Sequence, residues 1–107
     1  MLEALGCVPC NGGKHKNLRY WQFDYNPKQV VKEVAVSGQL PDAKSHQFYS
    51  TPAPVAERLV QWLDIQPTET CLEPQAGQGG IADRLPKDRT LCVEVSPLHC
   101  MILREKS

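Results

Sequence analysis

Thr70-Cys71-Leu72-Glu73-Pro74-Gln75-Ala76-Gly77-Gln78-Gly79-Gly80-Ile81-Ala82, followed by Leu91-Cys92-Val93-Glu94-Val95-Ser96-Pro97, is the stretch on which the fold turns. Residues 70–74 read as a short strand entering a glycine-rich turn. A helix from about Gly80 to Leu85 is expected next, and a second strand over about 90–95. Ser96 and Pro97 then cap and open a last helix reaching about Arg104. Strand, helix, strand, helix at these lengths form a βαβα unit, which implies a parallel pair and a right-handed crossover.

Gly77 and Gly79 permit a tight turn and the close approach of a ligand to the backbone. A helix starting there would aim its unpaired N–H groups and the positive end of its dipole at that ligand. Gly77-x-Gly79-x-x-Ala82 also fits the dinucleotide fingerprint. A glycine-rich loop without any ligand is the plain alternative. Glu73 separates the possible ligands: a carboxylate at the mouth of the turn repels a pyrophosphate and attracts the ammonium and sulfonium of S-adenosylmethionine. Glu94 closes the next strand, 21 residues after Glu73, at the same edge. An acid there can accept hydrogen bonds from both ribose hydroxyls, against the plainer reading of an exposed strand-end carboxylate.

Upstream, Thr51-Pro52 is expected to cap and start a helix whose apolar face is Ala56, Leu59, Val60 and Leu63, with Pro67 beyond its end. Asn26-Pro27 is expected to start another, running to about Ser37, with Val30, Val31 and Val34 on one face and Gly38 as its stop. Tyr20, Trp21, Phe23 and Tyr25 suggest a short aromatic-rich strand in the leader. Residues 39–47 read as a polar connector.

Composition limits the function. Twelve basic and twelve acidic residues cancel across 107 positions, so global charge gives no argument for nucleic acid. The locally basic run Lys14–Arg19 reads first as a solvated loop. No apolar run approaches the ~20 residues of a membrane span, and the first ten residues do not read as a secretory signal. A reducing cytoplasm is the expectation. Cys71 and Cys92 are expected as small buried side chains. Cys7-x-x-Cys10 has metal-like spacing, but His15 and His46 complete no common zinc pattern, so plain thiols are favoured.

Leu72–Ala82 resembles motif I of the DNA adenine-N6 methyltransferases, usually written L-E-P-S-A-G-x-G. Val93-Glu94-Val95-Ser96-Pro97 is similar to motif II. Phe48-Tyr49-Ser50-Thr51-Pro52 resembles the F-Y-x-T-P motif X. The three stand in the family's order and spacing, and the resemblance covers residues 46–103; the leader resembles the front end of phage-type members more loosely. The resemblance implies that Tyr49, Thr51 and Pro52 line the methionine end of the cofactor pocket. It also implies that Glu73, Ala76, Gly77 and Gly79 surround the amino-acid part, and that Glu94 holds the ribose. Gln75 departs from the family's serine or threonine, and Cys7–Cys10 departs from a Gly-Gly-Lys-Trp-like stretch.

The family's catalytic motif, [DNS]-P-P-[YFW], accepts hydrogen bonds from the adenine amine and stacks on a base flipped out of the duplex. The chain contains no Pro-Pro pair, and Asn26-Pro27 is explained by helix capping. The expectation is a partial Rossmann-like α/β unit with parallel strands at about 70–74 and 90–95, preceded by two helices and the leader. Residues 1–45 form the leader, its helix and the connector. Residues 46–107 form the S-adenosylmethionine-binding half of a methyltransferase domain, truncated before the catalytic motif and inactive alone. DNA is the expected partner of the full-length form. The alternatives are a regulatory cofactor-binding module working with a partner chain, and a dinucleotide-binding fragment.

Overall fold

The computed structural model describes residues 2–11, 19–40 and 49–107. The chain opens with a 3-10 turn, Leu2–Leu5, and Gly6 redirects it at φ 81°. Strand β1 (Val8–Asn11) then pairs antiparallel with β2 (Arg19–Gln22), Val8 opposite Gln22 and Asn11 opposite Arg19. β2 falls in the aromatic-rich stretch; its partner was not foreseen.

Helix α1 spans Lys28–Ser37. Asn26 Oδ1 accepts from the Lys28 amide at 3.1 Å. Gly38, at φ 68°, closes the other end by donating to the Val34 carbonyl, the usual left-handed stop. Helix α2 spans Ala53–Leu63 and begins one residue later than expected. Pro52 is extended, and its carbonyl accepts from the amides of Val55 and Ala56, both at 3.0 Å. Pro52 is therefore the flanking residue, and Thr51 makes no side-chain cap. Asp64, left-handed at φ 46°, ends the helix before Pro67 is reached.

Strands β3 (Cys71–Glu73) and β4 (Thr90–Cys92) pair in parallel, Leu72 opposite Leu91. Both are shorter than the 70–74 and 90–95 expected. Pro74 has no N–H to give and so ends β3. The ladder nevertheless runs on past the strands: Val93 N donates to Glu73 O at 2.9 Å, and Ala76 N donates to Val93 O at 3.0 Å.

The helix expected from Gly80 to Leu85 is not formed. In its place lie two single 3-10 turns, Ala82–Arg84 and Lys87–Arg89. The window is short and opens on glycines, each costing about 1 kcal/mol against alanine in a helix. Pro86 disfavours a helical Leu85, which is extended at φ −93° and ψ 159°. Helix α3 (Pro97–Lys106) starts where Ser96 and Pro97 place it, with Ser96 Oγ accepting from the His99 amide at 3.4 Å. Among the described residues the chain is a mixed α/β fold of three α-helices and two two-stranded sheets.

The core lies away from the parallel pair. Leu5, Tyr25, Val30 and Ile102 are buried together, with Phe23, Val34, Leu40, Leu98 and Met101 packed around them. Tyr25 and Phe23 meet edge to face at 5.5 Å, and the Tyr25 hydroxyl donates to the Leu5 carbonyl at 2.6 Å. Burial pushes the Tyr25 hydroxyl well above its usual range. The core thus joins the leader, α1 and α3. By contrast α2 buries only Ala56, and Leu59, Leu63 and Trp62 remain exposed. Val31 of α1 is exposed as well, so its expected face is narrower than the three valines. Cys71 and Cys92 are half-buried rather than buried.

Candidate functional site

The glycine turn is built by the end of the parallel ladder. Beyond Pro74, the Gln75 amide folds back to donate to Glu73 Oε1 at 3.0 Å. Ala76 is held by Val93 O, which brings Gly77 beside the end of β4. Gly77 takes φ 54° and Gly79 φ 95°, conformations open to glycine and strained for other residues. The Gly79 amide closes the turn on Ala76 O at 2.9 Å. Between them, Gln78 is held from two sides: its Nε2 donates to Ala4 O at 2.6 Å, and its carbonyl accepts from Lys106 Nζ at 2.5 Å. Lys106 Nζ also pairs with Asp83 at 2.9 Å and Asp24 at 3.2 Å. The turn is therefore fixed by the leader and α3, although no α-helix follows it.

Glu94 is the central side chain. Its Oε2 accepts from the Gly77 amide at 2.7 Å, and its Oε1 accepts from the Ser96 amide at 2.8 Å. His99 Nδ1, on α3, lies 3.8 Å from Oε1. Burial acts to raise the Glu94 pKa, but the Ser96 and Gly77 amides, with His99 beside them, outweigh it and hold the carboxyl below its usual range. These backbone bonds leave spare acceptor capacity on a carboxylate with about four lone-pair sites.

Around Glu94 and the turn lies an open cleft of about 820 Å³. Of the residues expected from the sequence, Tyr49, Thr51, Glu73, Ala76, Gly77 and Glu94 all line it. Pro52 and Gly79 do not: Pro52 stands at the mouth of α2, and Gly79 faces Asp83 and Leu103. Gly80, which the sequence reading passed over, lies against Thr51 on one wall: a Cβ there would meet the Thr51 carbonyl at 3.4 Å, the near edge of ordinary van der Waals contact. Its only signal in the sequence was the third glycine of the run. Val93 and Val95, also passed over, add apolar wall.

Phe48 of the F-Y-x-T-P stretch, His15, His46 and the side chains of Lys14–Arg19 lie outside the described residues. Cys7 is buried, and burial raises its thiol pKa; the Cys10 side chain is outside the description. Among the described residues, no three His, Cys, Asp or Glu side chains gather as metal ligands would. No helix among them is long and apolar enough to cross a membrane. No protein-family model matches the chain, and no curated protein or solved structure matches it either.

Proposed function

We propose that this chain is the S-adenosylmethionine-binding portion of a Rossmann-like methyltransferase, of the DNA adenine-N6 type in its full-length, cytoplasmic form. The observation that carries the reading is the convergence on one cleft of Tyr49, Thr51, Glu73, Ala76, Gly77 and Glu94. These positions come from three separate stretches of sequence, each resembling a motif of that family. The cleft volume lies within the few hundred to ~1,000 Å³ of small-molecule sites. The acceptor chemistry fits a cationic nucleoside: carboxylates stand at or just past the ends of both parallel strands, and the backbone bends closely between them at Gly77.

In this reading Glu73 attracts the ammonium end of the cofactor, Gly77 lets the backbone approach it, and Glu94 accepts the ribose hydroxyls. Tyr49 and Thr51 close the methionine end. Bound S-adenosylmethionine supplies a methyl group activated on a sulfonium. The residues that would present an adenine amine to it are not in these 107 positions, which hold no Pro-Pro pair. Two observations weigh against a dinucleotide. The Gly77 amide is directed at a carboxylate rather than left open for a pyrophosphate, and only a 3-10 turn follows, without the dipole of a helix.

A second reading, a cofactor-binding module that works with a partner carrying the catalytic strand, is favoured by one feature. Leu72 and Leu91 on the parallel pair, and Val93 and Val95 just past it, are at least half exposed, whereas parallel sheets are ordinarily covered on both faces.

Calorimetric titration with S-adenosylhomocysteine tests the common element of both readings. The parent chain is expected to bind, and Glu94→Ala to bind about 10- to 100-fold more weakly, the loss expected for hydrogen bonds to a charged group. Absence of binding by a chain shown to be folded overturns the proposal.

A further inference from the structure

Glu94 does two things at once in the geometry described. It reaches across to the glycine turn through Gly77, and in the proposed function it accepts the ribose. Both depend on the plane of one carboxylate. Its Oε2 is fixed by Gly77 and its Oε1 by Ser96, and both partners are backbone amides, one in the glycine turn and one at the N-cap of α3. Among the described residues, His99 on α3 places its side chain against that carboxylate. It sits in the first turn of α3, 1 % exposed, with Nδ1 3.8 Å from Oε1. That separation is too long for a direct hydrogen bond and short enough for a strong electrostatic contact where water is excluded. α3 is anchored in the core by Ile102, so His99 gives a rigid side-chain reference to a carboxylate otherwise held by backbone amides.

We propose that His99 is a positioning residue for Glu94, and that the line His99–Glu94–Gly77 sets both the shape of the glycine turn and the orientation of the ribose acceptor. The ribose half of this inference rests on the function proposed above; the Gly77 half does not. A buried imidazole offers the carboxylate an oriented N–H or dipole that an apolar side chain of similar size lacks. A residue with this role controls selectivity for ribose hydroxyls more than overall affinity.

Two readouts test it on the full chain, with His99→Leu, His99→Asn and Glu94→Gln. The first is the exchange rate and chemical shift of the Gly77 amide by NMR, without ligand. His99→Leu is expected to speed that exchange about tenfold, as Glu94→Gln does. His99→Asn, whose amide nitrogen overlays Nδ1, is expected to restore it. In a Glu94→Gln background, His99→Leu should add nothing. The second is the preference for S-adenosylhomocysteine over its 2′-deoxyribose analogue, expected to fall about tenfold in His99→Leu and to recover in His99→Asn.

An unchanged Gly77 amide in folded His99→Leu overturns the inference, as does an equal loss of affinity for both ligands. If neither ligand binds the parent, the cofactor reading has failed and the Gly77 amide alone decides the positioning role. If His99→Leu does not fold, Glu94→Gln serves: the ring-nitrogen resonances of His99 are expected to move, and fixed resonances overturn the proposal.

Discussion

The leader with α1 and the parallel pair both lean on α3, and they use it in opposite ways. The leader and α1 meet α3 through side chains almost without exposure, Leu5, Val30 and Ile102. The parallel pair meets it through polar atoms: Ser96 caps it, His99 faces Glu94, and Cys100 Sγ donates to the Glu94 carbonyl at 3.2 Å. On its apolar positions the pair is open, with Leu72 63 % and Leu91 65 % exposed. One region therefore supplies the hydrophobic burial that dominates stability, while the other supplies a cleft whose polar groups are positioned by hydrogen bonds. Stability and the candidate site are separated in space but share one helix.

The sharpest way to break that division is to truncate one apolar side chain in each region. Ile102→Ala removes a fully buried side chain from the junction of leader, α1 and α3 and is expected to cost about 2–5 kcal/mol in urea unfolding. Leu91→Ala removes an exposed one and is expected to stay within about 0.5 kcal/mol. Comparable losses from the two would mean that the sheet face is covered in solution, and the Leu91 effect would then depend on protein concentration if a second copy does the covering.

A smaller effect, confined to the site, comes from acid. Glu94 is held below its usual 4.5 in the folded chain, burial being outweighed by the Ser96 and Gly77 amides and by His99. A carboxyl lowered on folding stabilises the native state above its unfolded pKa and loses that contribution as pH falls through the folded one. At pH 7, Glu94→Gln is expected to be less stable than the parent by about 1.5–3 kcal/mol, the scale of hydrogen bonds to a charged group. That difference should begin to shrink below pH 4.5 and close once Glu94 is protonated in both states. A gap independent of pH would show that the Glu94 charge does not contribute to holding the turn.

The legible features were those written in a few consecutive residues. Asn26, Gly38, Ser96 and Pro97 mark helix ends through local hydrogen bonds and fixed dihedrals, and α1 and α3 lie within a residue or two of where these put them. The parallel pair was legible because two apolar runs flank a glycine turn. β1 was not, because Val8-Pro9-Cys10-Asn11 becomes a strand only by pairing with residues 19–22. The failed helix after Gly80 shows the converse: its apolar positions suited a helix, and flanking glycine and proline removed it. For the cleft, the carboxylates and glycines stood out by type and spacing. His99 did not, since a histidine in a helix carries no signal until the fold sets it against Glu94. Nor did the sequence indicate that the core would form from the leader rather than under the sheet. Which faces of an amphipathic helix find partners is decided by tertiary packing, and Leu59 and Trp62 of α2 show it.

That helix gives the smallest and most discriminating comparison. α2 buries only Ala56. Arg84 links it to the rest of the site, its Nη2 lying 3.6 Å from Glu57 while its Nη1 donates to the Gly80 carbonyl at 2.7 Å. The Glu57 side chain is 61 % exposed, and an ion pair so open to water contributes little. Glu57→Gln is accordingly expected to change global stability by less than about 0.5 kcal/mol. The division between regions predicts more for local opening. Amides of α2 should exchange with solvent faster than those of α3, because α2 can separate without disturbing the core, whereas α3 opens only when the core does. Hydrogen-exchange mass spectrometry separates the two segments directly. Equal protection would mean that α2 is held by burial the structure does not show, and its exposed Leu59, Leu63 and Trp62 would then have to be covered in solution. Faster exchange that slows on adding S-adenosylhomocysteine would tie α2 to the cleft through Tyr49 and Thr51, the wall that leads into it.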